Sequence, residues 1–345
     1  MIRICSSLAG GGYAVLLVGR RMKGSPEMES RPFSQKRLSC FFNKGKLFYA
    51  EYNIRLFFYL LFKKADGICA IDLDTILPCY LVSRLKGIKR VYDAHEYFSQ
   101  QKEIISRPGI YKLWYWVERK MIPRFKNGYT VSQSIAEAFH KKYGVNYEVI
   151  RNMPLLKESR TIPPKENIIL YQGAVNEARG LENLIPAMKQ INMPLHIYGD
   201  GNFLIQAKAL TLANNLNEKV LFVGKVSPAE LESITAKAMI GINLVENNGL
   251  NQFYSLANKF FDYIHHGIPQ VTMNFPEYKR VNDDYEVAML IDYADEKSIV
   301  HAIETLLNDK EVYNRLQLNC IAAREKYNWQ KEEKVLIQFY KNIFG

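Results

Sequence analysis

At 345 residues the chain is too long for one ordinary hydrophobic core and suits two domains. With 48% hydrophobic, 12% aromatic and 23% charged residues, it is neither disordered nor fibrous. The net charge of +11 is lopsided: Lys and Arg number 26 against 12 Asp and Glu through Asn152, and 20 against 23 after it, so the first half suits an anionic partner, a phosphate-bearing acceptor or an acidic membrane face, or is simply a soluble basic surface.

The chain opens with IRICSSLA, read as a helix, then Gly10, Gly11 and Gly12, then the strand YAVLLVG. A phosphate cradle needs strand, glycine loop and helix in that order. The reversed order here marks a helix end and tight turn. No signal-peptide pattern follows, and the longest apolar run, Leu56 to Phe62, is far short of the roughly 20 residues that span a bilayer. Five scattered cysteines, Cys5, Cys40, Cys69, Cys79 and Cys320, suggest no metal site and suit a reducing cytoplasm.

Strands are expected at DGICAIDL (66–73), KRVYDAH (89–95), GYTVS (128–132) and YEVIRN (147–152). Asp72 and Asp74 fall at the carboxyl end of the first of these, where they suit a divalent-cation pair, a polar lining of a cleft or a helix cap. Asp93, His95 and Glu96 crowd the end of the second. There an imidazole can donate to a sugar hydroxyl or polarise a reacting group, the alternative being a satisfied polar cluster anchoring the next helix. The stretch 111–126, YKLWYWVERKMIPRFK, mixes aromatics with cations and reads either as a membrane-surface helix or as one packed on its own sheet.

After a proline-rich linker, Pro154 to Pro164, the rhythm restarts with NIILYQG (167–173), PLHIYGDG (194–201), VLFVGKV (220–226), IGINLV (240–245), PQVTM (269–273) and EVAMLID (286–292). Apolar strands alternating with amphipathic helices make a parallel sheet covered on both faces. Ligands bind beyond the carboxyl ends of such strands, so the loops after Gly173, Tyr198, Gly224 and Val245 are expected to share one rim. The segment SLANKFFDYIHHGIPQV (255–271) places Lys259, able to neutralise a phosphate, three residues before Asp262, able to accept from vicinal ribose hydroxyls. The plainer reading is a solvated i, i+3 ion pair. YNWQKEEKVLIQFYKNIFG closes the chain as a helix.

The 255–271 segment resembles the donor-binding helix of the retaining glycosyltransferases of family 4, with Ser255, Asn258, Lys259, Asp262, Tyr263, Gly267 and Pro269 on or near that family's pattern. YQGAVNEARGLENLIPAM, IYGDGN and FVGKV follow it in the expected order, and the resemblance covers nearly the whole chain. It implies a GT-B fold, an α/β architecture of two Rossmann-like, doubly wound parallel-sheet domains facing a central cleft. The expected domains are 1–153 on the acceptor side, 154–328 binding the donor, and a helix over 329–345 crossing back to the first.

The resemblance implies roles by position: Gly173, Arg179 and Lys259 on the donor diphosphate, Gly199, Lys225, Val226 and Asp262 on the nucleoside, and His95 facing the transferred sugar with Asp93 and Glu96 beside it. Asp72, Asp74, Tyr254, Ser255 and Asn258 are then cleft-lining. Three departures stand out. Tyr254 replaces a glutamate common in the family, Ala174 replaces a basic residue, and the pattern begins at the family's first helix, without the first strand or the acceptor-side loop. The implied function is metal-independent transfer of a sugar, with retention, from a UDP- or GDP-linked donor, which is a substrate rather than a cofactor, to a glycan or lipid-linked acceptor in polysaccharide or cell-envelope synthesis. The expected location is cytoplasmic, with peripheral contact to an anionic membrane, and no nucleic acid is expected as partner. A nucleotide-sugar epimerase or a non-catalytic nucleotide-sugar binding protein are the alternatives.

Overall fold

The computed structural model describes residues 1–157 and 163–345, so the centre of the proline-rich linker, 158–162, lies outside the described residues. The chain divides into two compact units, residues 1–151 with 331–345, and residues 152–330.

In the first unit the strands are β1 (Leu16–Arg21), β2 (Ser34–Ser39), β3 (Gly67–Ile71), β4 (Lys89–Ala94), β5 (Asn127–Thr130) and β6 (Glu148–Val149). They form two parallel sheets, a β1–β2 pair and a four-stranded sheet in the order β3-β4-β5-β6. Strand β2 has no counterpart among the expected strands: SQKRLS has Leu38 as its one apolar residue. Backbone pairing alone places it, with Leu16 opposite Ser34, and no residue of either strand in this pair is fully buried. The opening helix, Ile2–Gly10, ends at the glycines, where the Gly11 amide returns to the Ser7 carbonyl at 2.8 Å. The last helix, Trp329–Phe344, is joined to this unit by the Arg151 amide on Glu332 at 2.7 Å and by Tyr340 packed on Tyr129.

The second unit holds β7 (Ile169–Gln172), β8 (Leu195–Tyr198), β9 (Val220–Gly224), β10 (Ile240–Asn243), β11 (Gln270–Met273) and β12 (Ala288–Ile291). Its single parallel sheet has the order β12-β11-β10-β7-β8-β9. The chain therefore starts in the middle, winds outward through β8 and β9, and returns to the other side of β7. This is the doubly wound order, with its switch point between β7 and β10. Every residue of β7, β10 and β11 is buried, as strands covered by helices on both faces require. Ile169, Ile197, Ile240 and Val271 pack in one core with Leu184, Phe260 and Ile303 from the helices.

Among the described residues no helix is long and apolar enough to cross a membrane.

Candidate active site

At the switch point of the second unit the loops are tied together by their backbones. The Gly173 amide donates to the Tyr198 carbonyl at 2.9 Å, Gly199 to Gly224 at 2.8 Å and Val175 to Asp200 at 3.1 Å. On the other side the Glu246 amide donates to the Ala178 carbonyl at 3.0 Å. Gly173 and Gly199 have φ of 123° and 146°. A Cβ on Gly199 would stand 1.8 Å from the Gly173 carbonyl oxygen, so only glycine fits. Lys225 leaves this rim as an exposed cation, 3.2 Å from Asp200, with Val226 next to it.

Arg179 sits between two left-handed residues, Ala178 at φ 62° and Gly180 at φ 74°. Such a backbone at alanine costs on the order of 1–3 kcal/mol and persists only where its surroundings hold it. Here the Ala178 amide is taken by Glu182 at 2.8 Å. Lys259, in the first turn of the helix Asn258–His265, places its ammonium 4.1 Å from the ring centroid of Tyr171. Burial first, and then the nearby charge of Arg179, pull its pKa down to about 7. Neither cation has a carboxylate partner among the described residues, so the i, i+3 pair with Asp262 is not made. Asp262 is oriented instead by Gln172, whose amide donates to it at 3.1 Å, and Gln172 is itself held by the Thr235 hydroxyl at 2.7 Å.

Around this helix start, Tyr254 ends the short helix Leu250–Phe253, Ser255 bonds the Gln252 carbonyl at 2.8 Å, and Asn258 is exposed as the first helical residue. No side chain caps that helix.

In the first unit, β3 and β4 end side by side. Asp72 takes φ 54°, its amide donating to the Asp93 carbonyl and its carboxylate accepting from the His95 amide, both at 2.9 Å. Asp93 is fully buried, receiving the Tyr129 hydroxyl at 2.9 Å and lying 3.1 Å from His95 Nε2. Burial works against a charged His95, but the hydrogen bond and charge of Asp93 outweigh it and the pKa is raised. Burial pushes the Asp72 carboxyl up to about 8 and that of Asp74 to about 6. Glu96 accepts from Gln101. Asp72 stands at the N-cap position of the turn Leu73–Thr75, but no side chain makes a cap hydrogen bond there or at the helix Ile76–Lys86. Asp72, Asp74 and Glu96 instead line one cleft of about 1060 Å³.

Two family models tile the chain. One described as "Glycosyltransferase Family 4" matches residues 1–153, and one described as "Glycosyl transferases group 1" matches 152–322. The chain belongs to glycosyltransferase family 4. Among solved structures, this family member is similar to Alr3699/HepE from Anabaena in complex with UDP and glucose, at 14% identity and TM-score 0.76 over 99% of this chain and 95% of that one. It is also similar to a sucrose-phosphate synthase from Thermosynechococcus elongatus, at 17% identity and TM-score 0.79 over 99% and 92%. WaaG, a glycosyltransferase involved in lipopolysaccharide biosynthesis, is similar at 15% identity and TM-score 0.72 over 99% and 94%. These likenesses carry the GT-B fold. No curated protein matches.

Some residues of these clusters escape a reading of the sequence. Gln172 and Thr235 orient Asp262, Tyr171 supports Lys259, and Tyr129 holds Asp93. A glutamine as the last residue of the otherwise apolar strand before Gly173 is the one legible signal, because a buried polar side chain needs a partner.

Proposed function

We propose that this glycosyltransferase takes a sugar from a UDP- or GDP-linked donor and passes it, with retention and without a metal, to a glycan or lipid-linked acceptor. The observation that carries the reading is the pair Lys259 and Arg179, two neighbouring cations with no carboxylate partner among the described residues, at the switch point of a doubly wound sheet. Like charges held together in partial burial repel, and a bound diphosphate removes that repulsion. In this reading the loop at Gly173 borders the diphosphate and Asp262 holds the ribose. Lys225 and Val226 border the base with Gly199, while Tyr254, Ser255 and Asn258 lie along the donor sugar. The similar HepE structure is a complex with UDP and glucose, which supports UDP as the first nucleotide to try.

In the first unit His95 donates to a substrate hydroxyl, with Asp93 as the residue that positions it and Glu96 beside it. The acceptor oxygen attacks the anomeric carbon, the sugar–phosphate bond breaks on the same face, and the proton leaves with the nucleoside diphosphate. Positioning and charge stabilisation carry most of the rate.

The test is thermal stabilisation by UDP-, GDP-, ADP- and CMP-sugars, with a ligand at 100 times its dissociation constant expected to add about 2.7 kcal/mol. A shift with one nucleotide class, lost in Arg179→Ala, supports the donor site; no shift with any, in a folded sample, sinks it. Product analysis with and without acceptor separates transfer from epimerisation, which needs no acceptor, and from a binding protein, which turns nothing over. Addition of EDTA and the anomeric configuration of the product test the metal-independent and retaining parts.

A further inference from the structure

Asp93 does not line the cleft beside Asp72, Asp74 and Glu96. It is buried, and two donors converge on one of its oxygens: the Tyr129 hydroxyl stands 2.9 Å from Oδ2 and His95 Nε2 stands 3.1 Å from the same atom. A carboxylate oxygen only accepts, so the Tyr129 proton is committed to Asp93. The hydroxyl of Tyr340, on the last helix, is hydrogen-bonded to that of Tyr129. Tyr129 has no second proton to give, so Tyr340 is the donor in that contact. The Cys69 thiol lies beside both hydroxyls, and sulfur is the weaker acceptor. One directed chain results, Tyr340 to Tyr129 to Asp93, and it ends where His95 begins.

Ring packing alone does not call for these hydroxyls. The Tyr129 ring is met edge-on by Phe339 at 5.4 Å between centroids, and the Tyr340 ring is stacked on Phe344 at 6.0 Å with Tyr13 edge-on at 6.0 Å. Phenylalanine would make the same contacts. Both tyrosines are buried, so their hydroxyls work in a low dielectric, where a chain of donors strengthens each of its bonds. His95 is the member that reaches solvent, with 29% of its side chain exposed. Its Nε2 is taken by Asp93, Met1 Sδ at 3.1 Å being a far weaker acceptor. That leaves Nδ1 for a substrate, and donation from both nitrogens requires the imidazolium. The other titratable groups around the pair are Asp72, Asp74 and Glu96 at the strand ends, Cys69 on β3, and Cys5 and the amino group of Met1 at the opening helix.

We infer that Tyr129 and Tyr340 are positioning residues for His95: a chain of hydroxyls from the last helix holds the Asp93 carboxylate against Nε2 and leaves Nδ1 to donate to the substrate. The inference rests on the reading above that His95 meets the substrate. The sign of the effect follows from charge. When the Asp93–His95 pair gives up its last proton it becomes net negative, and a donor on Asp93 stabilises that state more than the neutral one. Removing the Tyr129 hydroxyl therefore lifts the pH at which the pair loses the proton, whereas Asp93→Asn lowers it. Tyr340 acts one bond further away, so its loss moves the pair the same way and by less. A tyrosine that only fills the core moves nothing.

The experiment is a pH titration of the full chain, isotopically labelled in histidine and followed by NMR, with the His95 resonance identified by its loss in His95→Gln. Tyr129→Phe is expected to raise the His95 midpoint by about 1 pH unit, the worth of one hydrogen bond to a charged group. Tyr340→Phe is expected to raise it by less, and Asp93→Asn to lower it. Tyr129→Phe leaves a buried carboxylate short of a donor, so if that variant does not fold, Tyr340→Phe, which keeps the Tyr129 hydroxyl on Asp93, decides alone. The high-pH limb of the pH–rate profile is expected to follow the midpoint, with the donor KM unchanged. A midpoint that stays put or falls in Tyr129→Phe, or stays put in Tyr340→Phe, overturns the inference. Unmoved midpoints with activity still lost in His95→Gln defeat the hydroxyl chain alone. Midpoints that move as expected while the rate profile stays put defeat instead the reading that His95 meets the substrate.

Discussion

The second unit brings together two cations that have no carboxylate partner among the described residues, whereas the first crowds Asp74, Asp93, Glu96 and His95 around Asp72. Each arrangement is electrostatically uncomfortable in the free protein, and with opposite sign. The units differ in packing too: the second buries every residue of β7, β10 and β11, while the first leaves β1 and β2 partly open and carries most of the exposed large apolar side chains, Phe41, Phe62 and Leu85 among them. A rigid sheet with knitted loops suits a ligand of fixed shape, such as a nucleoside diphosphate. A looser, half-open cleft suits a partner that brings its own apolar surface.

The sharpest way to separate the two is to remove His95. His95→Ala is expected to cut kcat by about 10²- to 10³-fold, the usual worth of a preorganised hydrogen-bond donor, with UDP affinity unchanged in calorimetry. Asp93→Asn is expected to lose less rate but to shift the His95-dependent limb of the pH–rate profile to lower pH, because it removes the charge that raises the imidazole pKa. A profile that stays put ends the positioning role.

Next in size, Lys259→Met and Arg179→Ala are each expected to weaken UDP binding by about 2–5 kcal/mol, the range for one side of a desolvated charge contact. Neither should lower the melting temperature, because each removes a repulsion. A variant that loses stability and affinity alike would show that the cations hold the fold together rather than await an anion.

Smaller still is Gln172→Leu. It leaves Asp262 in place but without its 3.1 Å amide partner, and about a tenfold rise in donor KM with little change in kcat is expected for one lost hydrogen bond to a charged group. An unchanged KM would mean that Asp262 needs no orientation from the strand.

The same contrast governs what can be read from the sequence. The donor-side rim is legible because its devices are local: glycines where strands end, Arg179 in a turn, and Lys259 and Asp262 one helical turn apart. The layer order follows from continuous apolar strands. Strand β2 is not legible because SQKRLS carries no period and is placed by pairing with β1. The apolar wall of the first unit's cleft is not legible either, since Ile54, Phe57 and Phe58 look like any core-facing helix until the structure leaves them half outside. The stretch 111–126 shows the limit most clearly. Its helix buries Val117, Glu118 and Met121 against the unit and exposes Lys112, Leu113, Trp116, Arg119 and Lys120, so one face packs as a helix on its own unit does and the other carries the aromatics and cations to the surface.

The smallest expected effect is a pair of opposite pH slopes. Asp72 and Asp74 have folded pKa values raised to about 8 and about 6, above their unfolded value, so the folded first unit holds more protons than its unfolded chain between about pH 4 and 8. Stability there falls as pH rises through that window. Lys259 has a folded pKa of about 7, below its unfolded value near 10.4, so the unfolded second unit holds more protons above pH 7 and stability rises with pH from that point. Each slope is expected to amount to about 1 kcal/mol once solvent screening and coupling are allowed for, a shift of about 2–4 °C. Hydrogen-exchange protection followed peptide by peptide from about pH 5 to 9 resolves the two units. Asp72→Asn should reduce the first slope, leaving the part that Asp74 and His95 contribute, and Lys259→Met should flatten the second, each without touching the other, and a single common slope would mean that neither buried group sets the stability of its unit. UDP should abolish the second slope alone, because an anion beside Lys259 restores its charge, and donor binding above pH 7 must then take up a proton.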